Sequence, residues 1–232
     1  MKLKTSSIII TVAILLFLIF GGIYGFTVVT IEEAEQTVQD ETFNPVAYVD
    51  GIWDFQLMPA FNDGAVELSL ILSEMEPGAD GTASKENLIP IANEFGLITE
   101  GEAHVYMVQG SGVISSVNTE TSKGTAEVTL DGYNGPIKIQ IYLGPRLPGD
   151  DSSVRDATGL IKFGDFKEQT EFGKVAKEMN NRVLQGLETL DIENLNGKTV
   201  SFMGAFTIRT YNQISIDLKE IYILPVEIEA GE

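Results

Sequence analysis

The chain has no cysteine. That absence removes disulfides, thiolate metal sites and a cysteine nucleophile together. It also removes any lipid attached through an N-terminal cysteine. Histidine is nearly missing too: His104 is the only one. A serine–histidine triad or a histidine-rich metal site would have a single imidazole to use, and a strand histidine without special role is the ordinary reading. No Gly-x-Ser-x-Gly elbow, internal repeat or low-complexity tract occurs. Positive charge is scarce, with 15 basic against 34 acidic residues and a net charge of −19. Such a surface repels phosphate backbones, which argues against nucleic acid as a partner. It also favours a domain that stays soluble beside an anionic bilayer. A cation or a neutral ligand is compatible with it.

What is present begins with one long apolar run. Residues 5–31 carry no charged side chain, and the densest part runs from Ile8 to Phe20. A helix needs about 20 apolar residues to span the hydrocarbon core, and the run reaches that length through Ile23, Tyr24, Val28 and Val29. Lys2 and Lys4 precede it, so the positive-inside rule keeps the start of the chain in the cytoplasm and puts the rest outside. A cleaved signal peptide is the alternative, since Gly21, Gly22 and Gly25 are small, but no Ala-x-Ala-like site follows. Residues 1–31 are therefore expected to be a signal anchor, 32–42 an acidic connector, and 43–232 an extracytoplasmic domain. Apolar content of 44% over 232 residues is enough for one domain with a real core.

Asn44-Pro45 predicts a capped helix start. Val46, Val49, Ile52, Trp53 and Leu57 follow at helical spacing, and this stripe assigns the sole tryptophan to the core. Residues 64–75 predict a second helix. Ser84 caps a third that ends near Gly96. The period then changes. Residues 104–108, 112–117, 125–130 and 137–143 are strand-like, with turn-like separators at Gly110-Ser111, 121–124 and 131–135. Gly110-Ser111-Gly112 is not a phosphate loop, because no lysine follows and no helix opens; a hairpin or bulge is expected. A long helix follows, with Phe172, Val175, Ala176, Met179, Val183 and Leu187 on one face. Strands at 198–207, 213–218 and 220–227 close the chain, and Pro225 marks an edge or a bulge. Gly204-Ala205 inside a strand suggests a bulge or a close backbone approach, against the long helix. The fold class is α+β, mainly antiparallel: a small OB-like barrel or a meander sheet with a packed long helix and N-terminal helices.

Residues 143–166 concentrate candidate chemistry. Gly144, Pro145, Pro148 and Gly149 make a loop that carries Arg146, Asp150, Asp151, Arg155, Asp156 and Asp165. Loops on a rigid scaffold are where binding residues gather. Arginine with paired carboxylates can hydrogen-bond sugar hydroxyls, and carboxylates can hold a hard cation. The spacing is not that of an EF-hand, which needs a central glycine and a terminal glutamate. The competing reading makes Arg155-Asp156 a structural pair that fixes the loop on the barrel. No cofactor motif is present, and no metal site or catalytic residue is assigned.

Several segments, in this order, carry a family resemblance. They are Gly144-Pro145-Arg146, Arg155-Asp156-Ala157, Phe163-Gly164-Asp165-Phe166, Asn180-Asn181-Arg182-Val183, the stretch from Gly197 to Phe206, and Leu224-Pro225-Val226. Upstream, Ala47-Tyr48-Val49-Asp50-Gly51-Ile52-Trp53 and Gly110-Ser111-Gly112-Val113-Ile114 also fit. Together they resemble the bacterial predicted periplasmic lipoproteins called domain of unknown function 2291. The resemblance implies export, and a place beside sugar ABC-transporter components of the ribose type. The sequence departs where the lipid-bearing cysteine is expected, near residues 26–29, and an uncleaved helix would replace the lipid. The expected function is a membrane-anchored, non-catalytic extracytoplasmic domain that serves sugar uptake by binding ligand or docking on a transporter component. The alternative is a membrane-tethered hydrolase that uses carboxylates from residues 146–165.

Overall fold

The computed structural model describes residues 43–231. The apolar run and the connector lie outside them. Among the described residues no helix is long and apolar enough to cross a membrane. From Asn44 on, the described residues form one compact unit.

The first helix, α1 (Pro45–Ile52), starts as the sequence predicts. The Asn44 side chain accepts hydrogen bonds from the amides of Val46 and Ala47, and proline takes the first turn, where its missing N–H costs nothing. A π-helical turn (Trp53–Leu57) joins it to α2 (Met58–Gly64). Pro59 has no amide to donate and its ring crowds the carbonyl four residues back, so the widened turn just before it absorbs the conflict. Val49, Leu57 and Trp53 are buried as the stripe predicts, but Val46 is exposed. The predicted helix over 64–75 is shorter. Val66–Glu67 forms a two-residue strand, β1, parallel to a long later strand, and α3 covers only Leu68–Glu74. β2 (Thr82–Ser84) leads into α4 (Lys85–Phe95), capped by the Ser84 hydroxyl, and β3 (Leu97–Ile98) follows.

The barrel begins with β4 (His104–Asn118), one continuous strand of 15 residues. The two strands expected on either side of Gly110-Ser111 are thus one, and those residues make no hairpin. One edge of β4 pairs with β3, β1 and β5 (Thr125–Leu130) in turn, while the other pairs with β7 (Thr199–Ile208) from His104 to Val113. Gly112 lets the strand stay close where its partners change, because a Cβ there would meet the Thr129 carbonyl oxygen. A register shift between Ile114 and Ser116 supplies a bulge further along. β6 (Lys138–Tyr142) pairs antiparallel with β5 and parallel with β9 (Glu220–Ala230), and β9 returns antiparallel to β7. The order β4-β5-β6-β9-β7 and back to β4 closes a five-stranded barrel. β8 (Ser215–Asp217), between β7 and β9, pairs outside the barrel with β2.

Between β6 and β7 lie a short helix, α5 (Ser153–Ala157), and the long helix, α6 (Gln169–Leu187). The predicted apolar face holds: Val175, Ala176, Met179, Val183 and Leu187 are buried, and Phe172 is half-buried. Inside the barrel Tyr106 stacks on its cross-strand partner Phe206, ring centroids 4.8 Å apart. Gly204 does mark a close approach, but to β9 rather than to the long helix. A Cβ there would run into the Leu224 carbonyl oxygen and the Pro225 backbone, beside a register shift at Met203/Gly204. Pro225 thus sits at a bulge.

His104 is fully buried, and neither ring nitrogen has a hydrogen-bond partner. Burial, assisted by the charge of Lys85, holds its pKa below the ordinary value. The unfolded chain therefore takes a proton from about pH 6.5 downward while the folded chain resists it. Stability that is complete above that pH should fall as the pH drops toward the depressed folded value. His104→Leu should flatten this limb of the stability curve between pH 7 and 5. Superimposable curves for the two proteins would show that His104 does not titrate in this way.

Candidate functional site

The barrel's connections meet along one side of β6 and β9. The β4–β5 loop brings Lys123, the segment after β6 brings Asp150 and Asp151, and the β7–β9 connection brings Arg209 and Asp217. They border an open cleft of about 760 Å³. Tyr142 at the end of β6 and Tyr222 in β9 line it together, ring centroids 5.3 Å apart and nearly parallel. The parallel pairing of β6 and β9, which sets Gln140 against Tyr222, brings the two rings together.

Tyr142 is only 8% exposed, and among the described residues its hydroxyl has no hydrogen-bond partner. Burial, reinforced by the nearby charges of Asp151 and Asp150, pushes its pKa up to about 12. The group therefore faces the cleft as a neutral hydroxyl. Asp150 is ion-paired with Arg209, Oδ2 to Nη1 at 2.8 Å, and the Asp150 carbonyl accepts a further bond from Arg209. That arginine holds the carboxyl below its usual range, so Asp150 is suited to accept hydrogen bonds rather than to donate a proton. Ser153 Oγ and Thr207 Oγ1 share a hydrogen bond of 2.8 Å at the cleft wall. Tyr222 donates to Glu220 at 2.8 Å.

The structure divides the six sequence-predicted residues. Asp150, Asp151 and Asp156 line the cleft. Arg155 is buried behind them. It meets Asp156 through two bonds, Nε to Oδ1 at 2.7 Å and Nη2 to Oδ2 at 3.0 Å, and donates to the Phe172 carbonyl at 3.0 Å. Its guanidinium also lies 3.5 Å from the centroid of the Phe172 ring. Arg146 is exposed and lines no cavity described among these residues. Asp165 accepts from the Lys162 amide and so caps its own turn. Tyr142, Tyr222, Arg209 and Asp217 escaped sequence reasoning because they come from separate segments that only strand pairing joins. Among the described residues no group of three or more metal-ligating side chains could hold an ion.

On the far side of α5 is a second, more apolar groove of about 580 Å³. Ala103, Ser152 and Asp156 form the wall between the two, and Leu97, Ile98, Phe163 and Phe172 line the groove itself.

Comparison with known proteins bears on the fold and the family. The crystal structure of an OB-fold protein from Thermotoga maritima is similar, with a TM-score of 0.59 and 21% sequence identity, over 82% of this chain and 100% of that one. That likeness establishes the barrel type and nothing further. None of the curated proteins matches. The family model described as "Predicted periplasmic lipoprotein (DUF2291)" matches residues 13–229. The chain belongs to this family, which gives it an extracytoplasmic, membrane-associated location.

Proposed function

We propose that this member of the periplasmic lipoprotein family is a non-catalytic binding domain, tethered through residues 1–31, that serves a ribose-type sugar uptake system by holding a sugar in the Tyr142–Tyr222 cleft. The observation that carries the reading is the composition of that cleft. It combines a pair of tyrosine faces, a neutral hydroxyl without a protein partner, and an arginine–carboxylate pair at an open mouth. Sugars offer apolar ring faces for aromatic side chains and hydroxyls for charged hydrogen-bonding groups. OB-type barrels use their second and third strands and the loops after the first and fourth for oligonucleotides and oligosaccharides. The cleft adjoins the third of these strands and both loops, and its excess of carboxylates disfavours a phosphate backbone.

Calorimetric titration of the full chain in detergent with ribose, other pentoses and hexoses tests this. One saturable site is expected. Tyr222 is 40% exposed, so Tyr222→Ala should leave the melting temperature unchanged and weaken binding by about tenfold, equivalent to about 1.4 kcal/mol. No heat with any sugar, or equal affinity of the variant, would sink the reading.

A further inference from the structure

The Tyr142–Tyr222 cleft does not end at Tyr222. A second cavity of about 630 Å³ adjoins it, bordered by Pro136, Lys138 and Lys219. The two cavities share Asp217, Glu220 and Tyr222, so these side chains form the ridge between them. All three are exposed. A third cavity of about 370 Å³ shares Pro136 and Lys219 with the second and reaches the turn from Pro77 to Gly81. That turn is held in place, because β2 pairs with β8 and the Leu218 amide donates to the Gly81 carbonyl at 2.9 Å. The three cavities therefore follow one another along the segment that joins β8 to β9.

Strand register builds this row. Lys138 lies opposite Glu220, and Gln140 opposite Tyr222. Alternate residues of a strand share a face, so Tyr222 stands between Tyr142 and Lys138 on the outer side of the barrel. Tyr142 lines only the first cavity and Lys138 only the second, while Tyr222 lines both. One face of the Tyr222 ring covers Tyr142, which leaves the other toward the second cavity. The charges along the row are compensated within the protein. Glu220 meets Lys138 at 3.9 Å and Asp217 meets Lys219 at 3.7 Å, while Asp150 is held by Arg209 and Asp156 by Arg155. Of the charged groups that line the first two cavities, Asp151 and Lys123 are left without an ion pair among the described residues, and they are opposite in sign. Asp80 adds one carboxylate at the third.

We infer that the sugar held here is a short, uncharged oligosaccharide, laid from Tyr142 across Tyr222 to Pro136 and Lys219, rather than a single sugar. The inference rests on the sugar reading of the cleft. A cavity of about 300–1,000 Å³ suits a drug-sized molecule, so the first cleft at about 760 Å³ already exceeds what one pentose or hexose fills. In a chain, one ring meets the Tyr142 hydroxyl and the Asp150–Arg209 pair. The next crosses the ridge with its apolar face on Tyr222. A third takes hydrogen bonds from Lys138 and Lys219, whose ammonium groups carry more donors than their long ion pairs use. A charged chain would find no net counter-charge along the first two cavities, so a neutral one is selected.

The test is calorimetric titration of the full chain, in a detergent without a sugar headgroup, with xylose, xylobiose and xylotriose and with glucose, cellobiose and cellotriose. In at least one series affinity should rise by about tenfold or more from the single sugar to the trisaccharide. Lys138 lines only the second cavity and its side chain is 57% exposed. Lys138→Ala should therefore weaken the trisaccharide several-fold and leave the single sugar unchanged, whereas Tyr222→Ala should weaken both. The chitosan trimer, with an amine on every ring, should bind more weakly than cellotriose. A single sugar that binds as tightly as its trisaccharide, a gain with length that Lys138→Ala leaves intact, or a chitosan trimer that outbinds cellotriose overturns the inference while the sugar reading stands. Absence of binding in both series overturns that reading, and the inference with it.

Discussion

Met179→Asp should abolish folding or lower the melting temperature by 10 °C or more. Met179 lies at the centre of the buried face of α6 and is fully enclosed. Two costs add. Removing the methionine side chain forfeits about 2–5 kcal/mol of transfer and cavity energy. A carboxylate in its place would be buried without a counter-ion, and would instead take up a proton at a further cost of a few kcal/mol. A domain of this size has about 5–15 kcal/mol in total. Lys177 lies two residues away on the exposed side, so Lys177→Asp should change stability by about 0.5 kcal/mol or less. Trp53 is the only tryptophan and is buried, so its fluorescence reports the melt of both variants. Equal melting of the two would mean that α6 turns a different face to the barrel.

The elements that sequence identified well are those whose signal is local. The α6 stripe repeats over five turns, and the Asn44-Pro45 start combines a side-chain cap with a tolerated proline, so neither depends on distant partners. The short turns that join β4 to β5 and β5 to β6 force those two pairings to be antiparallel. β4 reads as two strands in sequence because glycine and serine usually break a strand, and nothing local says that three strands will approach one edge in succession. Val66–Glu67 was drawn out of a helix by the open edge of β4 between β3 and β5, a tertiary override of local propensity. The candidate site was legible in the same measure. Asp150, Asp151 and Asp156 fall on one loop and could be grouped by inspection. Tyr142 and Tyr222 are 80 positions apart in the numbering, and only the parallel pairing of β6 with β9 makes them one surface.

Arg155 gives the sharpest test of how that loop is held. Sequence left open whether Arg155-Asp156 is a scaffold pair or a ligand site, and the geometry separates the two roles between neighbouring residues. Arg155 is nearly enclosed, its side chain 10% exposed, and it spends its donors on Asp156 and on the Phe172 carbonyl at the start of α6. Asp156 reaches the cleft but is itself held by Arg155 and by the Ser152 hydroxyl at 2.7 Å. The pair therefore ties α5 to α6 and sets the wall between cleft and groove. Arg155→Ala would leave a largely buried carboxylate with one hydroxyl donor and strip the Phe172 ring of its cation. Breaking a buried pair in this way costs about 3–5 kcal/mol, which for a domain of this size lowers the melting temperature by roughly 6–20 °C. Much of that cost is the stranded charge rather than the net worth of the pair. The double variant R155M/D156L, which removes both charges and keeps the volume, should therefore melt well above Arg155→Ala. Arg155→Lys should not rescue, because an ammonium cannot make the two-pronged contact. If Arg155→Ala melts with the unaltered protein, the pair is no tie. The arginine would then have to act on something outside the chain, which loss of sugar binding in the same variant would reveal.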